Sequence, residues 1–197
     1  MHGNIHNVRT VCKVPEVPKL TSEQLRDRRA GIIEAAQRVF ARYGYDGATV
    51  VRLEQETGLS RGAIFHYFSD KTDIFVAVAL DLTTRFVDLI VERGIDEAAR
   101  SMAEEDPAII WTILEVHSRL RHDSEFQRRL GQRVQNRDRL LTWFAQQQSA
   151  GLLRGDLDPA SLALYVTIVL NGIAVQIAVG DPVDVTTTLD LLHTGLT

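Results

Sequence analysis

Six residues in one short stretch carry the chemistry of this chain: Arg61, Gly62, Ala63, Phe65, His66 and Tyr67. They sit in the second half of a run from Thr49 to Lys71, T-V-V-R-L-E-Q-E-T-G-L-S-R-G-A-I-F-H-Y-F-S-D-K. A purely structural segment has little reason to leave two aromatic rings and a glycine beside an arginine at its surface. A surface that reads DNA has a reason for each. Arginine forms a bidentate contact to guanine O6 and N7, small residues allow close approach, and apolar atoms touch the thymine methyl. Tyrosine hydroxyl and imidazole groups donate to phosphate oxygens, and Lys71, just beyond, can act there as a point charge. The plainer alternative is a hydrophobic knot from Phe65 to Phe68 that only holds helices together.

Bond-breaking chemistry finds no comparable constellation. The chain has no G-x-S-x-G, H-E-x-x-H, C-x-x-C or P-loop sequence. Glu115, His117 and His122 are spaced so that no metal-binding pair shares a helical face. The acidic turns at Glu104-Glu105-Asp106 and at Asp156 and Asp158 lack the calcium-loop pattern. The expectation is a non-enzyme with no cofactor and no metal.

The elements that must position the six residues can be read locally. Thr49 is a good N-cap for a helix whose Val50, Leu53 and Thr57 share one face. Gly58 suits the left-handed conformation that closes a helix end. Leu59 can plug the corner, and Ser60 can cap a second helix running to about Tyr67, with Ile64 and Phe68 facing inward. Two short helices joined by a turn containing glycine make a helix-turn-helix. Before them, Thr21 or Ser22 caps a helix that ends at Tyr43-Gly44 and buries Ile32, Ile33, Ala36, Val39 and Phe40.

The run from Ile33 to Phe75, with A-A-Q-R-V-F-A-R-Y-G-Y-D-G-A-T-V and then G-L-S-R-G-A-I-F-H-Y-F-S-D-K, resembles the DNA-binding domain of TetR-family transcriptional regulators. The resemblance spans about 28–80. It implies that Thr49, Ser60, Arg61, Gly62, Ala63, Phe65, His66, Tyr67 and Lys71 face DNA, and that Arg26, Arg28 and Arg29 start their helix near the DNA backbone. A fainter likeness to the aconitase-repressor branch lies over Gly94 to Phe126, in G-I-D-E-A-A-R-S-M-A-E-E-D-P and W-T-I-L-E-V-H-S-R-L-R-H-D-S-E-F. No matching ligand set follows from it.

Charge supports a divided chain. Net charge is −4 over 197 residues, yet residues 1–72 hold 11 Lys/Arg against 8 Asp/Glu, and 73–197 hold 11 against 18. A basic working end joined to an acidic body fits this asymmetry. With 45% hydrophobic and 24% charged residues, composition is that of an ordinary globular chain. The single Cys12 excludes an internal disulfide framework. The first residues show no secretory apolar run, and the longest apolar stretch, Ala160 to Val179, is interrupted by Thr167, Asn171 and Gln176. Cytoplasmic residence is expected.

The expected fold class is all-α, with about nine helices. Residues 1–20 form a tail in which Arg9, Lys13 and Lys19 are candidate DNA contacts, 21–71 the helix-turn-helix domain, and 72–197 an effector-binding and dimerisation domain. Helices are expected over about 72–92, 94–102, 108–121 and 124–150, the last as one rod. A further helix over 160–179 is apolar nearly all round, and one over 183–196 follows. A helix without a polar face must be covered on every side, by a second copy or by the rest of its own chain. The resemblance favours the copy, through Leu162, Tyr165, Ile168, Val169, Ile173, Gln176, Ile177, Leu189 and Leu192. It also implies a small-molecule pocket, for which Phe86, Trp111, Leu114, His117, Arg121, Leu140, Phe144, Asn171 and Gln176 mix polar groups with bulky apolar ones. The function that follows is a homodimeric repressor released from operator DNA by a small-molecule effector. The alternative is a helical ligand-binding or protein-interaction module without operator binding.

Overall fold

A computed structural model describes residues 21–131 and 135–197, save the side chains of His117 and Leu120. The tail with Arg9, Lys13 and Lys19 therefore lies outside the described residues. Within them the chain is all-helical: α1 Ser22–Gly47, α2 Val50–Thr57, α3 Arg61–Phe65, α4 Lys71–Arg93, α5 Ile95–Glu104, α6 Pro107–His122, α7 Ser124–Gly131, α8 Asn136–Ser149, α9 Pro159–Ala178 and α10 Val185–Leu196.

Local rules account for most boundaries. Thr21 and Gln24 form a capping box at α1, each side chain accepting from the other's backbone amide. Helical geometry in α1 breaks at Gly44 (φ 65°), where the sequence places the end, and a last turn continues to Gly47. Asp70, Asp106, Asp158 and Asp184 cap α4, α6, α9 and α10 through their carboxylates.

The expected rod over 124–150 is two helices, which brings the count to ten among the described residues. The two helices serve different cores. Phe126 of α7 packs against Phe75 at 5.7 Å between ring centroids, in a core that also holds Phe40, Leu53, Ile64, Phe68 and Val116. Phe144 of α8 belongs to a second core with Ile90, Leu162, Leu170, Leu189 and Leu192. Asn136, at the start of α8, is buried and donates to Thr84 Oγ1 of α4 at 3.0 Å. Helix α4 runs through both cores, Ile74 to Ala79 in the first and Ile90 in the second.

Helix α9 is apolar, but not covered on every side. At 20 residues and a mean hydropathy of 1.8 it has the length and composition of a membrane span, its three polar interruptions notwithstanding. Leu162, Val166, Leu170 and Ile173 are buried by α5, α8 and α10, so this face is satisfied within the chain. The opposite face leaves Leu164, Tyr165, Ile168, Asn171, Gly172, Gln176 and Val179 exposed, joined by Leu191 of α10. Of the residues expected to meet a second copy, Tyr165, Ile168 and Gln176 are on this open face and Val169 and Ile177 are half-buried. Leu162, Ile173, Leu189 and Leu192 are corrections: they fill the chain's own core and offer nothing to a partner. The sequence period could not choose a side, because both sides are apolar.

Candidate nucleic-acid interface

Helices α2 and α3 are built as their sequence suggests. Thr49 Oγ1 accepts from the Arg52 amide at 3.4 Å, and Leu53 is completely buried beneath them. Gly58 takes the left-handed conformation at φ 67°. Thr57 Oγ1 donates to the Leu53 carbonyl at 2.7 Å and accepts from the Leu59 amide at 3.2 Å, which sets the turn. Ser60 Oγ accepts from the Ala63 amide at 3.4 Å. Sequence reasoning missed one tie: Glu54 Oε1 accepts from the Arg61 amide at 2.6 Å, so α2 itself holds the start of α3. No local pattern marks an acceptor seven residues upstream.

Helix α3 is shorter than the expected Ser60–Tyr67. After Phe65 the Tyr67 amide turns to the Ile64 carbonyl at 3.0 Å, a tightened last turn. The chain must reverse here, because Asp73 of α4 draws Ser69 in through both its amide and its hydroxyl. Ile64 and Phe68 face the core, as their spacing requires. Ser60, Arg61, Gly62 and His66 are exposed, while Ala63, Phe65 and Tyr67 are half-buried. Phe65 and Tyr67 thus pack partly on the first core and stay partly open to solvent.

Gly62 is informative because the protein itself does not need it. A Cβ added there would meet nothing within 4 Å, and its φ is not positive. Glycine in a helix costs about 1 kcal/mol relative to alanine. The fold therefore supplies no reason of its own for glycine at this position. Beside it, the Arg61 guanidinium lies 5.8 Å from the Phe65 ring centroid, exposed to solvent.

Lys71 is placed differently from expectation. Its Nζ donates to the Tyr45 carbonyl at 2.9 Å and lies 4.2 Å from the Tyr45 ring centroid. Burial, more than the nearby charges, holds its pKa below the ordinary lysine value. A lysine so engaged is a brace between α4 and the end of α1. Thr49, by contrast, keeps an exposed hydroxyl whose proton is free to donate.

The expected pocket residues do not converge. Phe86, Leu140 and Phe144 belong to the second core, and Leu114 borders a small cluster of Ile110, Ala174 and Ala178. Trp111, Arg121, Asn171 and Gln176 are exposed, the last two on the open face of α9. The His117 side chain lies outside the described residues.

Comparison with known proteins bears on this geometry. The family described as "Bacterial regulatory proteins, tetR family" matches residues 32–78. The HTH-type transcriptional repressor Rv1474c of Mycobacterium tuberculosis is 37% identical over 188 residues, covering 91% of this chain and 98% of that protein. The HTH-type transcriptional repressor AcnR of Corynebacterium diphtheriae is 38% identical over 172 residues, covering 85% and 90%. Both likenesses extend far beyond 94–126, where the fainter of the two sequence resemblances lies. Among solved structures, Salmonella enterica GusR superposes with a TM-score of 0.70 at 22% identity, covering 91% of this chain and 98% of its own.

Proposed function

This chain belongs to the TetR family of bacterial regulatory proteins, and we propose that it represses transcription as a homodimer bound to operator DNA. Its relatives are HTH-type transcriptional repressors along nearly their whole length. The observation that carries the DNA reading is the bare, exposed start of α3, where Arg61 and a glycine that the fold does not require stand side by side.

Arg61 contacts a base edge, with Gly62, Ala63 and Phe65 shaping the fit. Thr49, Ser60, His66 and Tyr67 hold phosphates. Residues 21–71 form the DNA-binding unit and 72–197 the regulatory one, although the first core crosses that boundary through Ile74 to Ala79. The open face of α9, with Leu164, Tyr165 and Ile168, meets the same face of a second copy. A two-fold dimer then presents two α3 helices to successive major grooves about 34–36 Å apart. A small-molecule effector in the regulatory half shifts the dimer to a spacing that no longer fits, which requires unequal affinity for the two states. The protein works in the cytoplasm, where operator DNA is.

Selection from a random duplex library tests this reading, followed by electrophoretic shift against the DNA upstream of the chain's own gene. The expected result is a pseudo-palindromic site with half-sites one helical turn apart. Recovery of no preferred sequence would leave a helical module that does not read DNA.

A further inference from the structure

The elbow at the end of α1, Gly44 to Ala48, is gripped by the regulatory half of the chain. Glu115 Oε2 of α6 accepts from the Tyr45 amide at 2.9 Å. One helical turn on, and so on the same face, the Arg119 guanidinium carbon lies 3.5 Å from the Tyr45 ring centroid. The Arg119 Nη2 atom donates to Asp46 Oδ1 at 3.1 Å. From the other side Lys71 holds the Tyr45 carbonyl, and the Tyr45 hydroxyl lies 2.8 Å from Thr72 Oγ1. The ring's edge meets Phe75 at 5.0 Å between centroids. Every polar group of Tyr45 is thus fixed by α4 or α6.

The Arg119–Asp46 part of this grip is poorly explained as a device for stability. The Asp46 side chain is 92% exposed, and an ion pair with so wet a partner adds little to folding. Its position explains it better. Thr49, the cap of α2, follows the elbow directly, and Arg52 of α2 donates back to the Gly47 carbonyl. Helix α2 in turn holds the first amide of α3 through Glu54. The elbow is therefore joined to Arg61 through the Arg52 contact, the body of α2 and the Glu54 contact. The far end of α6 packs through Ile110 on Ala174 and Ala178 of α9.

We propose that Glu115 and Arg119 are positioning residues for operator recognition, setting the tilt of α2 and α3 by clamping Tyr45 and Asp46 from α6. This rests on the operator-binding reading above and adds to it which residues of the regulatory half aim the recognition helix.

The test uses the full chain, the operator duplex selected by the wild type, and an unrelated duplex of equal length. Variants are Asp46→Arg, Arg119→Asp, the double swap, Glu115→Ala and Glu115→Gln. The readout is the ratio of operator to unrelated affinity at fixed salt, because charge alone changes both affinities together. Asp46→Arg adds positive charge to the DNA-binding half, and on charge alone would tighten DNA binding. Clamping predicts instead that each single swap lowers the ratio about tenfold, and that the double swap, whose net charge is that of the wild type, recovers most of it. Glu115→Ala lowers the ratio, while Glu115→Gln, whose amide oxygen still accepts from Tyr45, keeps it. Wild-type ratios in both single swaps and in Glu115→Ala would overturn the proposal, as would a double swap no better than its worse parent. A wild type that selects no operator would overturn operator binding itself, and the clamp with it.

Discussion

Arg61 is the residue at which the DNA reading is most exposed to test. Truncating a bidentate contact to guanine costs about 1–3 kcal/mol of discrimination. Arg61→Ala should therefore bind less tightly and lose preference at one base step in each half-site, while an unchanged selected sequence would remove that role. Gly62→Ala separates folding from binding in a single variant. With nothing within 4 Å of the added Cβ, the helix gains about 1 kcal/mol of propensity. A higher melting temperature with weaker operator binding is expected, and operator affinity that rises with stability would show that nothing comes close there. Lys71 teaches the opposite lesson. Its sequence position suggests a phosphate anchor, but Nζ is spent on Tyr45, 26 residues upstream. Lys71→Ala should accordingly lower the melting temperature and leave the salt slope of DNA binding unchanged, whereas a slope flatter by about one unit would return it to the phosphates. The caps Thr49 and Ser60 and the turn at Gly58 were legible because their partners lie within three or four residues. Lys71, Glu54 and Tyr45 were not, because theirs do not.

Among elements, the same distinction decides what a sequence can show. Helices α1, α2 and α4 have an apolar stripe or a cap at each informative end, and their expected bounds fall within a residue or two of the observed ones, apart from the last turn of α1. Between α7 and α8 the sequence offers only Gly131 as a sign, set among arginines and apolar residues that continue at helical spacing. Helix α9 defeats periodicity altogether, and only its packing tells one side from the other. Capping of α9 and α10 by aspartate has a consequence in acid. The Ser161 hydroxyl, and after it the Ser161 amide, holds Asp158 below its ordinary value of 3.8. The Thr187 amide, then its hydroxyl, does the same for Asp184. A carboxylate whose folded pKa is depressed binds fewer protons folded than unfolded, so stability rises with pH across that interval. The contribution is complete above the unfolded value near 3.8 and is lost as pH falls through the lower folded one. Denaturant unfolding between about pH 5 and pH 2 should show this loss, reduced in the Asp158→Asn, Asp184→Asn double variant because neither Asn can titrate. Parallel pH curves for the two proteins would mean that the caps contribute nothing.

At the scale of the whole molecule, two cores share one long helix, and the proposed dimer needs a face on which two such chains can meet. Ile168 and Ile173 lie on the same helix and are equally apolar, yet 60% of one is exposed and only 3% of the other. A charge placed at each should therefore do different things. Ile173→Asp puts a carboxylate into the second core, where an unpaired buried charge costs several kcal/mol, about 3 or more. That variant should melt early or fail to accumulate, and its oligomeric state would say little about the interface. Ile168→Asp leaves the protomer's packing intact and sets two like charges near each other across a two-fold face. It should melt close to the wild type as a protomer, sediment at half the mass, and lose operator affinity, because a lone chain engages only one half-site. Helical content by circular dichroism guards against a folding defect. If Ile168→Asp still sediments as a dimer with an intact fold, the open face of α9 is not where the copies join, and the spacing argument for α3 must be rebuilt on another surface.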